Sequence, residues 1–479
     1  MEQTILGIDI GSSKICAVIA NVRDGVPHII GVGKHRSQGI KKGLVVNIDQ
    51  ASKAIKAAVA EAKREAEGTE SVNKAIISVS GAYTKSLLSS GVYNVTENEI
   101  GIKEIGKALN NAVYNATIPD EFDVIHVLPY KFRLDEQDQI EDPMGMTGRR
   151  LEVFAHIVTA QHSSLENLRK TINLAGIDIQ NIVLASYASS IAVLSDDEKN
   201  LGVACIDIGG STCEIMIHDG NAMRYNNFFG VGSHHITSDL AMTLNTKISA
   251  AEEVKIRYGD LSVDSRSSSP DGIEGHVIEE QKIEVPSVGV DEAVHFVPLT
   301  KAQAIIKARV IETFGVLARH IESSGLKDRL GAGIVLTGGM MNMQGIRELA
   351  RALFRNIPTR ISKTIEMPGL YDELRDPAYS TVLGLVWYGA GKCTNYERDS
   401  MGKIYHKEAK NTESSAPTFT QQPYVNRDFQ NILDADLSNL KEDLTQGVQY
   451  NMPETKASDQ DSVLGKAKRT ITKLAERLF

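Results

Sequence analysis

The chain is poor in cysteine, with four thiols (Cys16, Cys205, Cys213 and Cys393) in 479 residues. None forms a Cys-x-x-Cys pair or a zinc spacing, so they read as buried thiols of a reducing compartment rather than a disulfide framework. No apolar run approaches the ~20 residues needed to cross a bilayer. The chain enters a strand-like run directly at Thr4-Ile5-Leu6-Gly7-Ile8. No basic segment with a long apolar stretch precedes it, so no signal peptide is expected and the cytoplasm is the expected location. Positive charge is not in excess: the net charge is −9, which argues against a general nucleic-acid binder. Two nucleotide signatures are also missing. There is no Gly-x-x-x-x-Gly-Lys-Ser/Thr, and Gly230-Val231-Gly232 meets His235 where a Gly-x-Gly-x-x-Gly motif needs its third glycine. The composition that remains, 42% hydrophobic and 24% charged, is that of a globular protein long enough for two or more domains.

What is present is a segment that occurs twice. Gly7-Ile8-Asp9-Ile10-Gly11-Ser12-Ser13-Lys14 is matched by Ile206-Asp207-Ile208-Gly209-Gly210-Ser211-Thr212. Each copy is an apolar strand ending in Asp, a turn of small and hydroxyl residues, and a second apolar run. Each run then reaches an Asp-Gly turn, at Asp24-Gly25 and Asp219-Gly220. A Gly-rich turn lets backbone N–H groups approach phosphate oxygens without side-chain obstruction. Ser12, Ser13, Ser211 and Thr212 add hydroxyl donors, and Lys14 adds a positive charge. Asp9 and Asp207, at the strand ends, suit a Mg²⁺ held through its waters, since Mg²⁺ keeps several waters and takes few carboxylates directly. One copy alone reads equally well as a tight hairpin; two copies suggest two similar halves gripping one phosphorylated ligand.

Two weaker elements accompany them. Ile334-Val335-Leu336-Thr337-Gly338-Gly339-Met340 is a strand ending in Gly-Gly, a flat surface suited to a planar base. Glu252 and Lys255 lie three apart on one helix face, where they either meet a ribose and base or form a plain solvated ion pair. His234 and His235 read as helix-start residues rather than metal ligands.

Helix and strand signals alternate through the first half. Gln50 to Glu65 has helical spacing, Ala75 to Ser80 reads as a strand, and Ser163 to Ala175 as a helix capped by Ser163 with Glu166. A β-rich stretch near Thr84 to His162 reads as an α+β insertion. The second half has helices over Ala302 to Ser323 and near Met343 to Phe354, and ordered structure is expected to end near Lys392. Residues from 411 to 424, rich in Ser, Thr, Gln and Pro, read as a disordered linker.

These elements, in this order, resemble the actin-like ATPase superfamily. Within it the Asp-Ile-Gly-Ser-Ser-Lys start, the Ile-Val-Leu-Thr-Gly-Gly run and Tyr379-Ser380-Thr381-Val382-Leu383-Gly384-Leu385 resemble the FtsA family of bacterial cell division. The resemblance covers roughly residues 1 to 390 and the terminal helix. It implies an α/β, actin-like two-lobed fold with duplicated core subdomains. Residues 1–83 and 163–197 would form the first lobe, 84–162 the inserted subdomain, 198–248 and 310–392 the second lobe, and 249–309 a distal subdomain. Residues 393–460 would be a flexible linker and 461–479 an amphipathic membrane-targeting helix. The small-residue segments Ala185 to Ser190 and Ala378 to Leu385 would be the two connecting helices. The resemblance further implies bound ATP and Mg²⁺, self-polymerisation, and tethering of FtsZ filaments to the inner membrane at the division septum. Later divisome membrane proteins would be further partners, and the FtsZ tail would bind near residues 250 to 310.

The tail supports a membrane reading from its own pattern. On a helix, Leu464, Ala467, Ile471, Leu474, Ala475 and Leu478 share one face, edged by Val463 and Phe479. Lys466, Arg469, Lys473 and Arg477 fall opposite, and Lys468 flanks the stripe. Five basic residues against Glu476 alone give +4, a pattern suited to anionic lipid. Docking on the protein's own core or in a partner's groove is the plainer alternative. A sugar kinase or hydrolase of the same superfamily is the alternative enzyme, and it needs a general base. Chaperone-type relatives carry a Glu on the first connecting helix, but Ala185-Ser186-Tyr187-Ala188 has no acid there. Slow turnover, with ATP acting as a conformational ligand, is therefore the expectation. A DnaK-like chaperone would need a β-rich substrate domain, and only a tether follows.

Overall fold

A computed structural model describes residues 3–406, apart from 97–98, 221, 263–280, 289–292 and 356. The expected linker beyond 406 and the amphipathic segment 461–479 lie outside the described residues.

The first half opens with β1 (Gln3–Ile10), β2 (Lys14–Arg23) and β3 (Val26–Arg36), an antiparallel meander. A short pair, β4 (Ile40–Lys41) and β5 (Leu44–Val45), leads into α1 (Ile48–Glu65). Asn47 caps this helix by accepting from the Gln50 N–H, satisfying one of the free donors of the first turn. The small face of α1 lies so close to β3 that a Cβ on Gly33 would meet the Ala58 carbonyl at 1.9 Å. β6 (Lys74–Val79) then pairs in parallel with β1. Ile5, Leu6, Ile8, Ile76 and Ile77 are all buried, as expected of strands covered on both faces.

The insertion follows: β7 (Thr84–Asn94), α2 (Ile102–Asn115), β8 (Phe122–Leu134), β9 (Gln137–Ile140) and β10 (Arg150–Gln161). Its sheet runs β7-β10-β8-β9 and has its own core with α2, including Ile105, Leu109, Val153 and Ile157. α3 (His162–Leu174), β11 (Asp178–Leu184), α4 (Ala185–Val193) and α5 (Asp196–Leu201) complete the half. The expected Ser163 cap is not formed. α3 begins at His162, its N-cap Gln161 makes no side-chain bond, and Glu166 instead accepts from Arg169 at 2.8 Å.

The second half repeats the plan with β12 (Val203–Ile208), β13 (Cys213–Asp219) and β14 (Ala222–Phe229), then α6 (Ser233–Thr243) and α7 (Ile248–Tyr258). A two-stranded ribbon, β15 (Lys282–Pro286) and β16 (Val294–Pro298), precedes α8 (Leu299–Ser323). β17 (Gly333–Thr337), α9 (Ile346–Phe354), β18 (Thr359–Ile361) and α10 (Ser380–Gly389) close it. The two large sheets have the same order, β3-β2-β1-β6-β11 and β14-β13-β12-β17-β18, each an antiparallel hairpin pair extended by parallel strands. The doubled sequence is thus a doubled sheet.

α4 and α10 cross between the halves. A Cβ on Gly384 would meet the Ala188 carbonyl at 1.8 Å, so only glycine permits this backbone approach. Order does not stop near Lys392. Residues 393–406 pack back on the body: Tyr396 and Glu397 are fully buried, and Arg398 bridges to Val127 of β8. The Glu397 carboxylate accepts from Tyr187 at 2.7 Å and Tyr388 at 2.9 Å, and lies 2.7 Å from His126. This strap joins the insertion to both connecting helices. Its polar, aromatic sequence carries no periodicity that marks it as ordered.

Candidate functional site

The two Asp-Ile-Gly turns face one cavity of about 530 Å³, within the range of small-molecule sites. Both are built alike. The Gly11 N–H donates to the Lys14 carbonyl at 3.1 Å, and the Gly209 N–H to the Thr212 carbonyl at 2.8 Å. Asp9, Gly11, Ser12, Ser13 and Lys14 line the cavity from one side; Asp207, Gly209, Gly210 and Thr212 line it from the other. Ser211 does not reach the lining but is bonded to His234, whose Nδ1 is 3.0 Å from its Oγ. The other nitrogen, Nε2, lies 3.0 Å from Ser13 Oγ. His234 therefore ties one loop to the other, a role beyond that of a helix-start residue. Burial holds its pKa below the ordinary histidine value.

The two aspartates are held by neutral groups. Ser78 Oγ donates to Asp9 at 2.9 Å, and Ser189 Oγ donates to Asp207 at 2.6 Å. Thr381 Oγ1, on α10, lies 3.4 Å from the same Asp207 oxygen. Burial pushes the Asp9 pKa up to about 6 and raises that of Asp207, because a desolvated carboxylate disfavours its charge. The Lys14 ammonium sits 3.2 Å over the Tyr379 ring, a cation–π contact. Burial lowers its pKa, opposed in part by the Asp9 carboxylate. Two buried carboxylates in one cavity fit a hydrated divalent cation, whose charge would offset the cost of ionising them.

The far side of the cavity carries Glu252, Lys255, Gly339 and Met340. Glu252 and Lys255 are no solvated surface pair. Lys255 is 7% exposed, and its Nζ donates to Glu252 at 2.7 Å and Thr237 at 3.1 Å. Glu252 titrates low: burial opposes this, but the Lys255 and Thr237 hydrogen bonds outweigh it. Gly338 lies behind the lining. Its φ is +93°, and a Cβ there would meet Asp207 Oδ1 at 2.6 Å, so glycine is required both by backbone and by space.

Several lining residues carry no motif of their own: Gly43, Ser78 and Ser80 come from the first half and Glu214 from the second, while Thr381 belongs to the Tyr379–Leu385 run. Glu214 is the one with chemistry. A signal for it is present, since it follows Thr212 by two residues on the strand leaving the second loop, but it reads there as part of an apolar run.

Among the described residues, no helix is long and apolar enough to cross a membrane, and no cluster of three or more His, Cys, Asp or Glu forms a metal site.

Comparison with known proteins places this arrangement. Residues 204–384 match the family of the cell division protein FtsA, and residues 81–159 match the SHS2 domain inserted in FtsA. The insertion described above is that second domain. The cell division protein FtsA of Helicobacter pylori is 42% identical over 450 residues, covering 88% of this chain and 89% of its own. That of Pseudomonas aeruginosa is 35% identical over 389 residues, covering 81% and 89%. The Escherichia coli K12 protein is 30% identical over 407 residues, covering 83% and 93%. Among solved structures, a PilM–PilN type IV pilus biogenesis complex superposes with a TM-score of 0.54 at 16% identity, covering 81% of this chain and 98% of that one. That likeness concerns the fold alone, the actin-like doubling of two sheets. On identity and coverage together, the chain belongs to the FtsA family of cell-division proteins.

Proposed function

We propose that this cell-division protein binds ATP with Mg²⁺ between its two lobes and uses the bound state to set the arrangement of those lobes at a membrane surface. The observation that carries the reading is the pair of matched turns, Asp9 to Lys14 and Asp207 to Thr212, lining one cavity. The turn N–H groups, Ser12, Ser13 and Thr212 would take phosphate oxygens. Lys14, freed from an aromatic face, would add charge, and Asp9 and Asp207 would hold Mg²⁺ through its waters. Glu252 and Lys255 would meet the ribose, and the Gly338-Gly339-Met340 turn the base. Ser189 of α4 and Thr381 of α10 both touch Asp207, so a charge change there reaches both connecting helices. A ligand shifts such an equilibrium only by its differential contacts with the two states.

The remainder of the role follows from the family and the tail. The protein would polymerise on the cytoplasmic face of the inner membrane at the septum, tether FtsZ filaments and recruit later divisome membrane proteins. The segment Val463 to Phe479 would bind anionic lipid, each basic residue near the surface contributing about 1 kcal/mol. Polymerisation would make many weak anchors act together. Two measurements test the reading. Calorimetric titration of the full chain is expected to give Mg²⁺-dependent ATP binding, and no binding would remove the nucleotide part. Co-sedimentation with anionic liposomes is expected to be lost on deleting residues 462–479; equal binding by both forms would remove the anchor.

A further inference from the structure

The second turn is fastened to α6 by backbone. The Ser233 N–H donates to the Gly209 carbonyl at 3.0 Å and the His234 N–H to the Gly210 carbonyl at 2.7 Å. A Cβ on Gly232 would lie 2.7 Å from both of those carbonyl oxygens, so helix and turn form one tightly packed piece. The same helix carries Thr237, which donates to Glu252 and accepts from Lys255, so it also frames the far side of the cavity.

From this piece the His234 ring reaches across to the first half. Nδ1 lies 3.0 Å from Ser211 Oγ of its own turn, and Nε2 lies 3.0 Å from Ser13 Oγ of the other. Each ring nitrogen thus meets one hydroxyl, which can donate or accept as needed. The turns touch at the same place. A Cβ on Gly210 would lie 2.2 Å from Ser13 Oγ and 3.0 Å from the His234 ring. Ser13 and Gly210 line the cavity, whereas His234 and Ser211 do not, and Ser13 is also exposed to solvent. The contact therefore stands in the cavity wall, with the histidine set back from the lining.

We propose that His234 is a clasp across the two turns that must release Ser13 before nucleotide enters or leaves, an inference that rests on the nucleotide reading above. It is a positioning residue, holding the two halves together and touching no ligand. Any separation of the halves across the cavity carries Ser13 away with the first turn and His234 with α6, so it breaks the Nε2 contact. Because the ring stands outside the lining, that contact has the same strength with or without nucleotide in the cavity. It then favours the closed arrangement equally in both cases, slowing entry and exit alike and leaving affinity unchanged. A residue in direct contact with the ligand would slow exit alone.

The test uses the full chain and radiolabelled MgATP, with entry, and exit on chase by unlabelled MgATP, followed by rapid filtration. His234→Ala is expected to speed both about 5-fold, the worth of one neutral hydrogen bond, while the dissociation constant stays within about 2-fold. His234→Gln, whose amide nitrogen takes the place of Nε2, should keep both rates near wild type; His234→Asn is too short to reach Ser13 and should match His234→Ala. Gly210→Ala, with no positive φ to strain it, should also speed both rates, because the added Cβ displaces Ser13. In a Ser13→Ala background, His234→Ala should add nothing further. Unchanged rates in His234→Ala, or faster exit with unchanged entry, overturns the clasp while the nucleotide site stands. Failure of the wild type to bind MgATP overturns the site reading and the clasp together.

Discussion

The two phosphate turns are the same hairpin with different chemistry at matching places. In the first, Asp9 pairs across the hairpin with Cys16; in the second, Asp207 pairs with Glu214. The residue closing the first turn is Lys14 and that closing the second is Thr212. The first copy thus carries a cation and an inert buried thiol, whose pKa burial pushes up to about 12. The second carries a hydroxyl and a carboxylic acid. The backbone plan is duplicated, and the division of labour lies in two side-chain positions. One turn carries a cation beside its aspartate, the other a second carboxyl group.

That contrast can be broken in graded steps. The largest effect concerns pH. Asp9 rises from 3.8 to about 6 and Glu214 from 4.5 to about 7 in the folded protein. A raised acid pKa means the native state holds the proton more tightly than the unfolded chain. The associated stability is therefore complete below the unfolded value and lost as pH rises through the folded one. Urea unfolding of the nucleotide-free protein should show stability falling from about pH 4 to 7, by on the order of 2–3 kcal/mol per group at most. Glu214→Gln should remove the upper part of that slope and Asp9→Asn the lower part. Mg²⁺ with ATP should flatten the Asp9 part. Cys16→Ser should leave the slope as it is.

Next in size is the charge difference. Lys14→Ala should weaken ATP binding by about 2 kcal/mol, roughly 30-fold, since a charged hydrogen bond is worth ~1.5–3 kcal/mol. Thr212→Ala should cost about 1 kcal/mol, the value of a neutral one. Equal losses would dissolve the contrast. The turns also differ in room. A Cβ on Gly11 would lie 2.7 Å from the Lys14 carbonyl, whereas one on Gly209 meets nothing nearer than 3.5 Å. Gly11→Ala should destabilise by about 1–3 kcal/mol through forced backbone movement, and Gly209→Ala by roughly 0.5 kcal/mol or less, in the same urea series. The smallest effect on affinity is expected for Tyr379→Leu. Removing the ring under Lys14 takes away a cation–π contact worth about 0.5 kcal/mol at a partly exposed ring. ATP should then bind slightly more tightly, because Lys14 has less to give up.

The matched strand-turn-strand segments are legible in the sequence because hairpin formation is local. In each copy the apolar run, the Gly turn and the second apolar run follow one another directly along the chain, so the partners of every contact are near neighbours. The small-residue connecting helices are legible for a similar reason, since Ala188 and Gly384 announce a close crossing. What is not legible depends on register between distant segments. Glu214 sits within an apolar run, and only the fold shows that it reaches Gly81 and Ser186. Ser78, Ser189 and Thr381 are ordinary hydroxyls until separate strands and helices bring them to Asp9 and Asp207. Lys255 reads as half of a surface ion pair, and α7 packing against α6 buries it beside Thr237. The strap over 393–406 carries no periodic signal, because its order comes from Glu397 and Tyr396 entering cores built by other parts of the chain.

The central claim is that both turns grip one ligand, and a double-mutant cycle on MgATP affinity tests it most directly. Asp9→Ala and Asp207→Ala should each weaken binding about 10- to 100-fold, the usual loss on removing a group that orients a bound metal. The double variant should lose clearly less than the product of the two, because carboxylates serving one ion are coupled. Unchanged affinity in either single variant, or strict additivity in the pair, would mean that the two turns do not act on the same ligand.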